Sequence, residues 1–299
     1  MAVHFRASGP LHSVVSNLGL IGEFPGRWIG RGFNLIARPN FKASPPFFLE
    51  LNGTEEVLEF RAVGGNIPNR GSKEPDIALF GVRYLQQVTD CETETIIHIE
   101  PGFWLHVPPT EDPAAKETYV RQASIPHGDA LLAQSTFFDS FSGGPTIKPV
   151  NSTPFTDATI PGLNSDPAKP IPPTDPYLDQ YLKDALPDKC LPKGLNAQQT
   201  IKDPTIVLRQ VIADQQAKGF KITNTAVVQI STTPPGNIAN IPFIQQNANA
   251  AQVDAIFWIE TVRHSDGSVF MQLQYVQRVI LDFIGIHWPH ISVATLIKE

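Results

Sequence analysis

The sequence predicts a mainly β protein: an antiparallel β-barrel of about ten strands with a few short helices, one domain over residues 1–299. Three observations point there. Apolar and polar residues alternate with period two along most of the chain outside 142–204. The alternating segments follow one another through short turns, as in a meander rather than a parallel sheet. The last two segments, 269–283 and 289–298, run to the chain end with no helix after them, so they are expected to close against the early strands. Closing a meander on itself removes its exposed edges.

In 269–283, Val269, Met271, Leu273, Tyr275, Val279, Leu281 and Phe283 share a face broken only by Gln277, while Gln272, Gln274, Arg278 and Asp282 take the other. From Pro289 onward, His290, Ser292, Ala294 and Leu296 share one face, and Ile291, Val293 and Ile297 the opposite one. A histidine at the mouth of a terminal strand, followed inward by two small residues, leaves room for something flat beside the imidazole. The plainer role is a rim histidine bonded to a loop carbonyl.

Earlier in the chain, 11–21 is expected to form a short helix or turn that plugs one end. Residues 24–38 read as a bent first strand in which Trp28 and the glycines at 26, 30 and 32 mark a close approach to a neighbour. Segment 47–60, with Asn52-Gly53 inside it, reads as strand, turn, strand. Strands are expected at 77–89 and 96–107, the second bulged at Pro101-Gly102, and at 118–124 and 131–138, joined at Pro126-His127-Gly128. Residues 142–204 are rich in proline, which cannot donate to a ladder, so they form an insertion draped over the barrel. A short helix is expected in it from Asp175-Pro176. A helix over 205–219 follows, with Asp203 capping it, Val207, Leu208, Val211 and Ile212 buried and Gly219 at its end, packed outside the barrel. Strands resume at 221–231 and 252–263, and His264-Ser-Asp-Gly-Ser268 makes a hairpin turn into the terminal pair.

The net charge of −6 carries no nucleic-acid footprint. Cys91 and Cys190 cannot build a disulfide framework, and no Cys-x-x-Cys motif exists for covalent haem or a cysteine zinc site. With no leader pattern and no apolar run of membrane-spanning length, a soluble cytoplasmic protein without a membrane partner is expected. Neither a Gly-x-Ser-x-Gly elbow nor a phosphate loop occurs, which removes the basis for hydrolase and nucleotide-binding readings.

Three motifs fall in the order found in the nitrobindin family of haem-binding, calycin-like β-barrels. Gly26-Arg-Trp28-Ile-Gly30-Arg-Gly32 resembles that family's first strand, and His98-Ile-Glu100-Pro-Gly102-Phe103 resembles a middle one. His290-Ile-Ser-Val-Ala294-Thr295-Leu296-Ile-Lys298 is similar to its closing strand, with one extra residue before the alanine. The insertion, and Asn34 to Asn40 after the glycines, depart from the family pattern. The resemblance implies a non-covalent haem b with His290 as the axial ligand of the iron. Ser292 and Ala294 would leave space for the porphyrin edge, and Trp28 and His98 would stand beside it.

The resemblance further implies chemistry on nitric oxide, peroxynitrite or peroxide, of a peroxynitrite isomerase-like or peroxidase-like kind. His98 and Glu100, on one strand face, form either a pair beside the ligand, with Glu100 fixing the tautomer of His98, or a structural pair at the bulge. Trp28 is either cofactor wall or core, and His106, His127 and His264, at strand ends and turns, are expected to be solvated. His287 and His290 do not read as a zinc pair, because a strand does not point i and i+3 the same way. The alternative is a lipocalin-like carrier or ligand-shaping barrel for an apolar small molecule, without haem, in which the insertion serves as a lid.

Overall fold

The computed structural model describes residues 11–299. Ten long strands form a closed antiparallel barrel. They are β1 (Gly26–Pro39), β2 (Phe47–Ala62), β3 (Ile77–Asp90), β4 (Ile96–Val107), β5 (Thr118–Ile125), β6 (Asp129–Ser142), β7 (Phe220–Ser231), β8 (Asn249–His264), β9 (Val269–Phe283) and β10 (Ile286–Lys298). Each pairs with the next, and β10 pairs back onto β1. The pairing of β6 with β7 spans the whole insertion.

Closure brings Gly30 opposite Leu296 and Gly32 opposite Ala294. A Cβ at Gly30 would sit 2.0 Å from Thr295 O, and one at Gly32 would sit 2.2 Å from Val293 O. Only glycine permits that approach, as the first-strand pattern predicts.

Two local expectations are corrected. β2 is one uninterrupted strand, with Asn52 and Gly53 in the ladder opposite Asn34 and Phe33. Gly53 is required there for a different reason: its missing Cβ would lie 2.2 Å from Lys189 O, where the insertion passes over the wall. The bulge is not at Pro101-Gly102, which pair in register with Leu85 and Tyr84; the register shifts at Val88/Thr89. Gly102 instead makes room for Gln122 O and the Tyr84 ring, which lie 2.3 and 2.6 Å from where a Cβ would be.

The barrel has one core inside and another outside. Inside, the segment Gly19–Glu23 plugs one end, and Phe24 stacks on Phe60 with ring centres 4.5 Å apart. Trp28, Trp104, Phe257 and Leu273 fill the space above it. Outside, the insertion lays Leu163, Ile171, Leu178 and Tyr181 on the wall made by Phe47, Trp288, Ile291 and Val293. The helix Ile206–Ala217 adds Val207 and Leu208 to that layer. Its first turn is not capped by Asp203, which lies two residues before the cap position at Thr205. Asp203 instead accepts from Val150 N and Thr205 and pairs with Arg209. Asp175 does hold the short turn at Pro176–Leu178, accepting from Tyr177 N.

Cys91 and Cys190 are disulfide-bonded. One bond is no framework, but it fastens the insertion to the turn after β3. Across 99 residues no local spacing announces such a pair. Among the described residues, no helix is long and apolar enough to cross a membrane.

Under the helix Ile206–Ala217, the β8 wall carries Glu260 with no exposed surface. Gln272 Nε2 donates to its Oε2 at 2.7 Å and Gln215 in turn donates to Gln272, but Glu260 Oε1 has no partner. Burial, offset only in part by Gln272, pushes this carboxyl up to about 8 from 4.5. The folded state therefore holds the proton more tightly than the unfolded chain. Stability is complete below about pH 4.5 and is lost as pH rises toward about 8. Glu260→Gln should flatten that decline. Urea midpoints at pH 5 and pH 8 measure it, and the same drop in variant and wild type would refute the assignment.

Candidate functional site

Along its axis the barrel interior has three levels. The plugged end is apolar, the middle is a polar layer, and the opposite end, called the chamber below, carries the side chains of Asn34, His290 and Ser292. Strand parity sets this order. Trp28, Gly30, Gly32 and Asn34 succeed one another inward on β1, facing Leu58, Glu56, Thr54 and Asn52 on β2.

Arg121 on β5 is the centre of the polar layer and is 2% exposed. Its Nε donates to Tyr84 Oη at 2.9 Å, one terminal nitrogen to Glu100 Oε1 at 2.5 Å, and the other to Gln277 Oε1 at 2.6 Å. Gln277 is on β9, across the barrel from β5, so the guanidinium bridges the lumen. Its carbon lies 5.4 Å from the Phe257 ring centre and 5.9 Å from that of Trp104, roofing the apolar core. Burial alone would raise the Glu100 carboxyl, but Arg121, His98 and Tyr84 outweigh it and hold it at about 2. Glu56, 2% exposed, is the second acid of the layer. Tyr275 Oη donates to it at 2.6 Å and Gln86 Nε2 at 3.2 Å. Burial nevertheless raises its pKa, because the hydrogen bonds from Tyr275, Gln86 and Thr54 and the more distant His98 offset it only in part.

Above this layer the closing strand presents His290 and Ser292. His290 Nε2 lies 2.7 Å from Asn34 Oδ1, and Ser292 Oγ donates to the same oxygen at 2.9 Å. Asn34 Nδ2 donates to Asn52 Oδ1 at 3.0 Å, and Asn52 Nδ2 to Asp90 Oδ2 at 2.8 Å. Burial would raise the Asp90 carboxyl, but Thr93, Asn52 and Glu92 outweigh it and lower it. His290 is pushed down to about 3, first by burial and then by His98 and His127. It is a neutral imidazole at any ordinary pH.

His98 reaches Glu100 at 3.4 Å, and its ring centre is 5.5 Å from that of His127. His127 is exposed, as its turn position suggests, though partial desolvation followed by His98 and Arg38 lowers its pKa. His106 is held, stacked on Tyr119 and bonded to Asn17 O at 2.8 Å. His264 stacks on Phe220 and bonds Lys218 O at 3.1 Å. His287 turns away from His290 to pair with Asp282 and Phe155.

The structure thus brings together His290, Ser292 and His98 of the residues singled out by sequence. Ala294 lies deeper, fully buried between Gly32 and Tyr275. Trp28 is six positions from Asn34 on β1, about 20 Å at strand rise, and donates Nε1 to Phe24 O at 2.8 Å in the plugged end. It belongs to the core and not to the chamber. Asn34, Asn52, Glu56 and Arg121 are functional candidates that sequence reading passes over. Strand parity with Trp28 flags Asn34, and a lone arginine between Tyr119 and Ala123 on an inward face flags Arg121.

No family model matches the chain, and no curated protein matches it in sequence. Among solved structures it is similar to "Crystal Structure of Rv2717c from M. tuberculosis", at 13% identity and a TM-score of 0.42, over 97% of this chain and 98% of that one. The barrel stands on its own strand pairing.

The chamber residues meet one requirement of a haem site on their own chemistry. An axial imidazole has to be neutral and oriented by a partner on one ring nitrogen, and Asn34 supplies that partner to His290.

Removing Arg121 strands a buried carboxylate. Arg121→Met should cost about 3–5 kcal/mol of unfolding free energy, and Arg121→Met with Glu100→Gln should recover much of it. Chemical denaturation of both variants measures this. A double variant as unstable as the single one would show that the layer is held by something other than this ion pair.

Proposed function

We propose that the protein binds haem b non-covalently in the chamber with His290 as the protein ligand to the iron. It would act there on a small reactive nitrogen or oxygen species. The observation that supports this most is the neutral, half-buried imidazole of His290, which sits on the strand that closes the barrel and is held by Asn34. The likeness of the three strand motifs to the nitrobindin family supports the finer reading, peroxynitrite isomerisation, with peroxidase-like turnover as its neighbour. When bound, haem supplies a redox-active, Lewis-acidic iron. The chain's own residues orient the ligand through His290, hold polar groups near it in His98 and His127, and seal the chamber from the apolar core with Arg121 and Gln277.

The alternative, an apolar-ligand carrier, is less well supported. A lumen crossed by Arg121, Glu100, Glu56 and Gln277 leaves little apolar wall for such a molecule. The expectation of a cytoplasmic protein and the Cys91–Cys190 bond pull in opposite directions, because a disulfide persists in oxidising surroundings. The bond favours an oxidising compartment.

Titration of the protein with haem should give a Soret band distinct from that of free haem. His290→Ala should abolish or grossly shift it with the far-ultraviolet circular dichroism unchanged, while His106→Ala or His287→Ala should leave it in place. Equal haem binding by His290→Ala sinks the reading, and a free-haem spectrum with wild type returns the carrier to first place. The pH profile is a second check. Because His290 takes up a proton only near pH 3, haem affinity should show no His290 inflection between pH 5 and 8. A protonation step near 6.5 that vanishes in His290→Ala would contradict the assignment.

A further inference from the structure

The hydrogen bonds that lead from His290 to Asp90 have a direction. An ionised carboxylate can only accept, and Asp90 is held ionised by its turn: Thr93 N donates at 2.7 Å and Glu92 N at 3.0 Å to Oδ1. The atom of Asn52 that lies 2.8 Å from Asp90 Oδ2 must therefore be its amide nitrogen. The second hydrogen of that nitrogen goes to another carboxylate, Glu50 Oε1, at 3.2 Å, so Asn52 gains nothing by turning over. Its oxygen is then the atom that faces Asn34, and Asn34 meets it with Nδ2 at 3.0 Å. That leaves Asn34 Oδ1 toward the chamber, able only to accept. It takes Ser292 Oγ–H at 2.9 Å and the His290 ring nitrogen at 2.7 Å. The ring nitrogen must carry a hydrogen, and it is Nε2.

We infer that Asp90, Asn52 and Asn34 form a polarised relay that fixes the proton of His290 on Nε2 and leaves its lone pair on Nδ1. The three are positioning residues. Asn52 and Asp90 are both buried, 6% and 4% exposed, so water does not compete for the link between them. The chamber then accepts, at Nδ1, a Lewis acid or a hydrogen-bond donor, and it disfavours groups that only accept. A metal centre or a protic small molecule such as a hydroperoxide fits that requirement, whereas an anion without a proton does not. What this means for haem iron rests on the function proposed above; the tautomer does not.

The test is made on the full-length protein without haem, labelled with 15N, by long-range proton–nitrogen correlation of the histidine rings at pH 7. The His290 signals are those missing from His290→Ala. In wild type they should show a pyrrole-type Nε2 and a pyridine-type Nδ1, with the Nε2–H form at more than about 90%. Asn52→Leu cuts the relay and frees Asn34 to rotate, so the two tautomers should approach about even populations. Asn34→Asp keeps an acceptor facing the ring and should keep the wild-type pattern. A protonated Nδ1 in the wild type overturns the inference whether or not the variants fold. An unchanged tautomer in a folded Asn52→Leu overturns the part assigned to Asp90 and Asn52. Haem titration of the same samples separates the two readings: the expected tautomer with no haem spectrum removes the haem function alone, and haem binding on a protein with protonated Nδ1 removes the relay alone.

Discussion

The interaction on which the interior depends is the buried pair of Arg121 and Glu100. Two charges away from water are expensive, and their mutual attraction repays that only when the remaining donors and acceptors are also satisfied. Here Tyr84, Gln277 and His98 provide those partners. The aromatic rings of Trp104 and Phe257 press on the guanidinium from the apolar side. The pair therefore acts as a partition. Everything below it can pack as an ordinary core, and everything above it can stay polar and open to chemistry.

The outer layer serves the same end from the other side of the wall. The closing strand shows His290 and Ser292 to the lumen and Ile291 and Val293 to the insertion. Both faces of that strand are thus pinned, one by hydrogen bonds and one by apolar packing. A ligand-bearing side chain needs such a rigid base, because a loose imidazole loses its orientation. The proline-rich segment, which contributes no barrel strand, contributes to the site by this route. Its disulfide to Cys91 fixes one further point of the cover, next to the turn that carries Asp90.

Much of this was legible in the sequence, and for a physical reason. Period-two alternation survives in most of the long strands, though not in β8, whose residues from Val253 to Glu260 are buried on both faces, so the barrel, its closing strand and the inward face of His290 could be read directly. Asn52-Gly53 misled because the pair has turn chemistry in isolation, whereas here the glycine is needed for contact with Lys189, far along the chain. Pro101-Gly102 misled in the same way, since Gln122 O and the Tyr84 ring, not a bulge, require that glycine. Trp28 carries a family-like motif but sits at the far end of its strand from the chamber. Strand parity marks Asn34 and Arg121 as inward-facing, but not as site residues, because their partners, His290 and Gln277, are 256 and 156 positions away. Spacing along a chain cannot report such pairs.

The pairing of β1 with β10 has a consequence for how the chain is made. Glu299 N bonds to Arg27 O, and Trp28 faces Lys298, so the ring is sealed between the first and the tenth of its strands. Until β10 is made, β1 and β9 are both open ladder edges, with Phe33 and Leu35 of β1 still uncovered. The barrel closes only once β10 is available, and its slowest contacts are those of greatest separation. The His290 imidazole is thus positioned by a pairing between the two strands farthest apart in the sequence, so loss of β10 removes the closure and the histidine together.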